Sequence, residues 1–105
     1  EDDALMRRIS AFVEEHIGDS DVSVGDMADA VAMSRSGLQR KMKQVMGVSP
    51  LDFIKEARIK HACHLLSTTT MTVSDVAFAC GYSDPKYFSR SFKASTGKSP
   101  KEWRA

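Results

Sequence analysis

Two stretches of this 105-residue chain are rich in basic side chains and contain no acid. The first runs from Ala30 to Leu51 and the second from Pro85 to Lys101. Their cationic side chains are Arg35, Arg40, Lys41 and Lys43, followed by Lys86, Arg90, Lys93, Lys98 and Lys101. Such surfaces suit a phosphate backbone, because each neutralised phosphate releases condensed counterions. The other interpretation is a solvated basic face with no partner. The secondary structure that carries the two stretches helps to distinguish phosphate binding from a solvated face.

The net charge of +1 hides an uneven distribution of charge along the chain. Residues 1–33 carry nine acids and two bases, whereas residues 34–105 carry thirteen bases and five acids. This separation of acidic and basic residues along the chain indicates a polyanionic partner for residues 34–105. The length favours one domain. No signal peptide opens the chain, and no apolar run approaches the roughly 18 residues of a membrane span. We therefore expect a cytoplasmic, nucleoid-associated domain without membrane contact.

Catalytic and metal chemistry find little support in the residue pattern. The three histidines have no plausible nucleophile beside them, and no glycine-rich phosphate loop is present. His61, Cys63 and His64 lie close together, but a structural zinc site usually takes four ligands, and no second cluster follows. We expect neither catalysis nor a cofactor nor a metal. Cys63 and Cys80 are predicted to be small buried hydrophobes rather than a disulfide.

An internal repeat organises the chain. Residues 24–34 align with residues 73–83 at an offset of 49, and residues 35–50 align with residues 85–100 at an offset of 50. One residue is inserted in the turn between the two aligned blocks. Leu38 matches Phe88 and Met42 matches Phe92, apolar for apolar, so the two copies are expected to fold alike.

Each copy carries the signals of two helices joined by a tight turn. A Ser or Thr followed three positions later by Asp predicts a short helix in each copy, near 24–32 and 73–80. Ser34 and Asp84 are placed to cap a longer second helix. This second helix is expected to end before a glycine, at about position 46 or 96. A short helix, a turn and a longer helix form the helix-turn-helix pattern.

Two further amphipathic stretches flank these units. Apolar residues at three- and four-residue steps predict a leading helix near 3–17. A helix near 50–66 is apolar on two sides, which is typical of an element packed between neighbours. The whole chain is thus predicted to be all-α with about seven helices. A first lobe, about 4–49, would be joined through this connector to a second lobe, about 67–105.

The exposed N-terminal part of each second helix is where base-reading side chains are expected. These side chains belong to Arg35, Ser36, Gln39 and Arg40 in the first copy, and to Pro85, Lys86, Ser89 and Arg90 in the second. Gln39 can pair with adenine, and Arg40 or Lys86 with guanine. The remaining predicted DNA contacts are Lys43, Lys93 and Lys98. For Arg40 and Arg90, a phosphate contact or an intramolecular ion pair stays open as the alternative.

The apolar stripe opposite these side chains is predicted to face the core. It contains Leu38, Met42, Phe88 and Phe92. Trp103 is also expected in the core. Gly37 lies inside a predicted helix, where glycine costs about 1 kcal/mol. It either permits close approach to a DNA backbone or is simply tolerated.

These residues carry a family resemblance. The stretch from Val73 to Arg104, with GYSDPKYFSRSFKASTGKSPKEWR at its centre, resembles the signature of the AraC/XylS family of transcription regulators. The segment SRSGLQRKMKQVMGVSPLDFIKEARIKHACHLL is similar to the first half of that family's domain. The resemblance covers about residues 5–105. It implies a seven-helix, two-lobe domain whose two recognition helices enter successive major grooves of double-stranded DNA.

Carried over by position, the base-reading sites of the family fall on Ser36, Gln39, Arg40, Pro85, Lys86, Ser89 and Arg90. Ser36 is short for a base reader, and Pro85 has no donor, so Lys86 is expected to do more of the reading. The form SRSGLQRKMK also resembles the output domains of hybrid two-component regulators. A sensor, receiver or ligand-binding domain outside this chain, and RNA polymerase, are then the expected partners.

A protein-interaction module is the rival interpretation, because the acidic first segment would not favour DNA. The two interpretations are compatible if the acidic and basic surfaces are different.

Overall fold

The computed structural model describes residues 2–105, and every regular element in that range is an α-helix. The helices are α1 (Asp2–Glu15), α2 (Val24–Ala30), α3 (Arg35–Met46), α4 (Pro50–Thr68), α5 (Val73–Ala79), α6 (Pro85–Thr96) and α7 (Pro100–Arg104). The prediction of an all-α fold with about seven helices and two helix-turn-helix units is confirmed. The leading helix ends two residues earlier than expected, and the connector two residues later.

Side-chain caps start the two short helices at the predicted residues. Ser23 and Asp26 form a capping box before α2, with each backbone amide donating to the other side chain at 3.0 and 3.1 Å. Before α5, the Thr72 hydroxyl accepts from the Asp75 amide at 3.0 Å. Within the described chain the carboxylate of Asp75 does not return that bond, so half of the predicted box is formed there.

Glycines end the two longer helices. Gly47 follows α3 with φ +76°, and Gly97 follows α6 with φ +85°, both in the left-handed region that favours glycine. Directly after Gly97, Ser99 and Glu102 form a second capping box that starts α7. The predicted helix ends are therefore confirmed.

The described residues form two compact units. The first consists of the residues up to His16 together with Asp21–Ala57, and the second consists of Ile17–Ser20 together with Arg58–Ala105. Helix α4 contributes residues to both units, and the short Ile17–Ser20 segment belongs to the second.

Both cores are built from the predicted apolar stripes. In the first unit the fully or nearly fully buried hydrophobic side chains are Ile9, Val13, Met27, Ala28, Val31, Leu38, Met42 and Ile54. The second core is formed by Ile59, Ala62, Leu66, Val76, Ala77, Cys80, Tyr82, Phe88 and Phe92. Aromatic rings dominate the second core, since the ring centroid of Phe88 lies 5.1 Å from that of Tyr82 and 5.7 Å from that of Phe92.

Trp103 departs from the expectation of a core residue. Its indole meets the ring of Phe92 edge-on at 5.7 Å, yet 36% of the residue is exposed. Trp103 lies on the five-residue helix α7, and its edge-on contact leaves part of the indole in solvent.

The two cysteines are free thiols in different surroundings. Cys80 is fully buried, and this burial raises its pKa to about 12. Cys63 is half-buried, and burial raises its pKa as well. The description as a buried small hydrophobe thus fits Cys80 and fits Cys63 only in part.

Residues 2–105 contain no group of three or more His, Cys, Asp or Glu side chains that could hold a metal ion. Over the same range, every helix is too short or too polar to cross a membrane.

Candidate nucleic-acid interface

Helix α3 has one buried face and one exposed face. Leu38 and Met42 are completely buried, as the apolar stripe predicts. All the predicted contact residues of this helix are exposed, namely Arg35, Ser36, Gln39, Arg40 and Lys43. Residues three and four apart are neighbours on a helix surface, so positions 36, 39, 40 and 43 form one continuous polar strip. We call these four residues the α3 strip.

The start of α3 is held by a cap on the Gly37 amide. The Ser34 hydroxyl accepts from the Gly37 amide at 3.0 Å. A Cβ on residue 37 would lie 3.0 Å from that same hydroxyl oxygen, which is tighter than an ordinary contact. The cap at Ser23 forms with Asp26 at the equivalent position, so a cap of this kind does not itself require glycine, and the two explanations that the sequence offered for Gly37 stay open.

Arg35 is set apart from the α3 strip by its contact with α2. A Cβ added to Gly25 would lie 3.1 Å from both Nε and Nη2 of Arg35. The guanidinium of Arg35 thus lies against the first turn of α2, where glycine makes space for it. This contact places the start of α3 close to the start of α2.

One lysine of the first basic stretch has a different use. The ammonium of Lys41 lies 3.0 Å from Oδ1 of Asp2, so it forms an ion pair with the first turn of α1. Among residues 2–105, neither Arg40 nor Arg90 comes within ion-pair distance of a carboxylate. An intramolecular pair therefore does not occupy these two guanidinium groups in the described part of the chain.

Helix α6 repeats the design of α3. Pro85 occupies the first turn, where a missing amide is tolerated, and the Asp84 carboxylate accepts from the Lys86 amide at 3.0 Å. Lys86, Arg90 and Lys93 are exposed, whereas Pro85 and Ser89 are half-buried. Lys98 is exposed just beyond the helix end. We call Lys86, Ser89, Arg90 and Lys93 the α6 strip, which matches the α3 strip position by position.

The sequence did not single out Tyr87, which lies beside the α6 strip. Its side chain is 47% exposed, and its ring centroid lies 6.0 Å from that of Tyr82. Its phenol can donate a hydrogen bond to a phosphate. The repeat gave no signal for this residue, because its counterpart in the first unit is Gly37.

Two arginines outside the strips hold the turns that lead into the strips. In the first unit, Nη2 of Arg8 donates to the Ala30 carbonyl at 3.2 Å. In the second unit, Nη1 of Arg58 donates to the Gly81 carbonyl at 2.9 Å, and Nη2 donates to the Asp19 carbonyl at 2.9 Å. Each arginine therefore reaches the backbone around the end of the first helix of its helix-turn-helix.

A signal for these arginines was present in the sequence. Arg8-Ile9 and Arg58-Ile59 are identical pairs at an offset of 50, which extends the repeat upstream of residue 24. Ile9 and Ile59 are both buried. The repeat unit is consequently three helices, in which the leading helix supplies a buried isoleucine and an arginine for the turn.

Comparison with known proteins supports this architecture. A family profile described as "Helix-turn-helix domain" matches residues 27–105. The arabinose operon regulatory protein of Escherichia coli (strain K12) is 38% identical over 103 residues, which make up 98% of this chain and 35% of that protein. The chain spans about a third of the length of the curated relatives that it matches.

Solved structures show the same likeness. The C-terminal domain of AraT, a response regulator from Geobacillus stearothermophilus, has a TM-score of 0.89 at 30% identity, over 95% of this chain and 83% of that chain. The DNA-binding domain of AdpA, a global transcriptional factor solved in complex with a target DNA, has a TM-score of 0.87 at 29% identity, over 95% of this chain and 88% of that chain.

Proposed function

The chain belongs to the AraC/XylS family of helix-turn-helix transcription regulators, and from this premise we propose that it binds double-stranded DNA sequence-specifically and regulates transcription. The observation that carries the proposal is the pair of matching strips on α3 and α6. Each strip lies opposite a fully buried apolar stripe and within a stretch of chain that contains no acid. This arrangement suits a DNA-binding module and not an enzyme.

In the proposed mechanism, α3 and α6 each enter a major groove, and the two grooves are successive on the duplex. The N-terminal half of a recognition helix is the part that reaches base edges. The caps at Ser34 and Asp84 fix the starts of these halves, and the AdpA domain, which was solved on DNA, has the same fold. All of residues 1–105 would then act as one DNA-binding domain of two lobes, with the connector of about 50–66 between them.

The strips divide into base-reading and phosphate-binding side chains in this proposal. Gln39 reads adenine, and Arg40 and Lys86 read guanine, because these pairings are bidentate or point directly at guanine acceptors. Ser36, Ser89 and Arg90 also lie near the bases. Arg35, Lys43, Lys93 and Lys98 contact phosphates, and Pro85 packs at the helix start.

Selection from random DNA, followed by footprinting with the intact chain, tests the proposal directly. The expected product is a site with two conserved segments about one helical turn apart, near 34 Å. Protection of two successive major grooves is expected over that site. Recovery of no consensus would refute sequence-specific binding, and protection of one groove would refute the bipartite mechanism.

Three alanine variants separate base reading from phosphate binding. Gln39→Ala and Lys86→Ala should each lose about 1–3 kcal/mol of binding free energy on the selected site and relax the choice at one base pair. Lys98→Ala is the matched control, and it should weaken binding to all sequences evenly. A uniform loss for Gln39→Ala or Lys86→Ala would move that residue into the phosphate-binding class.

A salt titration separates DNA binding from the rival interaction module. Phosphate contacts predict that log K falls with log salt by about 0.9 for each contact. The Lys98→Ala variant should reduce that slope by about one contact. An affinity for DNA that does not respond to salt would favour the rival.

We propose two further partners for the complete regulator. RNA polymerase is one, and a sensor, receiver or ligand-binding domain outside this chain is the other. The second is supported by the similar C-terminal domains of AraT and of the response regulator yesN from Fusobacterium nucleatum. The place of action would be the cytoplasm, at the nucleoid. Transcription assays with the full-length protein test both partners, because a regulator must change promoter output when its input changes.

A further inference from the structure

We infer that Arg58 is a positioning residue for base reading by α6. It holds the turn between α5 and α6 through the Gly81 carbonyl, and Arg8 is its weaker counterpart for α3. The inference rests on the proposed function, because it concerns how accurately α6 reads DNA.

The guanidinium of Arg58 packs against several groups of the second unit. It donates to the Gly81 carbonyl and to the Asp19 carbonyl, at 2.9 Å each, and its Cζ lies 6.0 Å from the ring centroid of Tyr82. Its Nε is buried and has no hydrogen-bond partner within residues 2–105. A partly buried cation bonded to two carbonyls holds both segments more firmly than a neutral donor would.

The turn at Gly81 closes directly on this guanidinium. Gly81 has φ +86° and is buried. A Cβ at this position would lie 2.5 Å from the Ile17 carbonyl oxygen and 2.9 Å from Cζ of Arg58. The amides of the turn are used internally, since Gly81 donates to Phe78 and the next residue donates to Ala77. Arg58 thus provides a side-chain anchor for the Gly81 carbonyl from outside the turn.

The first unit contains the same device in a weaker form. Arg8 donates a single bond of 3.2 Å to Ala30 and is exposed. Ala32 has φ +56° and aligns with Gly81 at the offset of 49. The carbonyl that Arg8 reaches, at the last residue of α2, aligns two residues before Gly81. Two copies of one repeat therefore use an arginine at the same position for the backbone around this turn, which favours a role tied to the turn itself.

The turn controls α6 because few residues separate them. Helix α6 begins at Pro85, four positions after Gly81. Between them lies Tyr82, which is buried and packs against Phe88 on the core face of α6. Functional side chains must be held to within roughly 0.5 Å and 10–20° of their working geometry. Loss of the hydrogen bond to the Gly81 carbonyl should therefore lower the base specificity of the α6 strip and leave the base specificity of the α3 strip unchanged.

The test compares Arg58→Met and Arg58→Lys with Arg8→Met and Arg104→Met. Arg104 is a matched control, because it donates to the carbonyls of Leu66, Thr69 and Met71 in the same unit and does not touch the Gly81 turn. DNA selected by the wild-type chain is made in two altered forms, with either the first or the second half-site scrambled. The measured quantity is the ratio of affinities for intact and altered DNA, which does not depend on the fraction of folded protein.

For Arg58→Met, discrimination at the second half-site should fall about tenfold, the equivalent of one charge-assisted hydrogen bond, with the first half-site unchanged. Arg58→Lys should keep part of the discrimination at the second half-site. Arg8→Met should cause a smaller loss of discrimination, at the first half-site alone. Arg104→Met should lower stability and leave both ratios unchanged. Unchanged ratios in Arg58→Met, or equal losses at both half-sites, would overturn the inference.

Hydrogen exchange supplies a readout without DNA. The amides of Gly81 and Tyr82 should exchange faster in Arg58→Met and Arg58→Lys than in Arg104→Met. If the wild-type chain selects no DNA site, the proposed function fails while the exchange result still decides whether Arg58 holds the turn. Equal exchange rates at these two amides in all the variants would refute the anchoring role.

Discussion

Replacement of Gly81 by alanine is the sharpest test of how the second unit is built. The residue combines a positive φ of +86° with two close neighbours, the Ile17 carbonyl and the guanidinium of Arg58. Gly97 has almost the same φ, +85°, but no atom lies within 4 Å of the position of its Cβ. Comparison of Gly81→Ala with Gly97→Ala therefore separates the free-energy cost of a positive φ from the cost of the steric clash at residue 81.

The expected magnitudes follow from these two environments. Gly97→Ala should destabilise by about 1–2 kcal/mol, because an L-residue in the left-handed region costs about that much. Gly81→Ala pays the same conformational cost and also pushes the Ile17 carbonyl or Arg58 out of place. Loss of one hydrogen bond from a charged donor adds about 1.5–3 kcal/mol. A total of about 3–5 kcal/mol is therefore expected for Gly81→Ala.

Urea unfolding followed by circular dichroism measures both variants against the wild type. A small domain with roughly 5–15 kcal/mol of stability should still fold at low temperature with either substitution. The double variant Gly81→Ala with Arg58→Met should cost less than the sum of the two single changes, because both remove the same contact. Equal destabilisation by Gly81→Ala and Gly97→Ala would refute the packing of the turn described here.

Two further predictions concern titration. The backbone and side-chain hydrogen bonds with Ser99 hold the pKa of the Glu102 carboxyl below its usual 4.5. The stabilisation by these hydrogen bonds is therefore present above pH 4.5 and is lost as the pH falls through the lowered pKa. Glu102→Gln should flatten the acid branch of a curve of unfolding free energy against pH. An unchanged acid branch would contradict this prediction. Burial raises the pKa of Cys80 to about 12. A thiol reagent at pH 8 should thus modify Cys63 well before Cys80 in single-cysteine variants, and equal rates would contradict the burial.

Local signals in the sequence predicted most of the fold. A cap or a left-handed glycine acts over four or five residues, so Ser23, Ser34, Gly47 and Gly97 could be assigned without knowledge of the tertiary structure. The buried stripes followed from helical periodicity in the same way. The α3 and α6 strips lie on the helix faces opposite these buried stripes, so their exposure could be predicted as well. Every strip residue is exposed except Ser89, which is half-buried.

Features that depend on distant backbone groups were not predicted. Arg58 donates to two backbone carbonyls. Every residue has a backbone carbonyl, so the sequence does not show which ones an arginine will reach. Helix α1 gave no sign that the segment after it would pack in the second unit. The exposure of Trp103 also depends on packing around a five-residue helix rather than on its own hydrophobicity. The roles of the strip residues on DNA stay predictions.

The membership of Ile17–Ser20 in the second unit has a consequence for biosynthesis. This segment leaves the ribosome before its packing partners, because Arg58 and Gly81 follow it by about 40 and 60 residues. At roughly 5–20 residues per second, the segment then spends about 3–12 s without its packing partners. The helices of the first unit can assemble during that interval, whereas the link after α1 can pack only after Gly81 has been made. Nascent chains that stall before Gly81 should therefore be cut by proteases at this link, between α1 and α2.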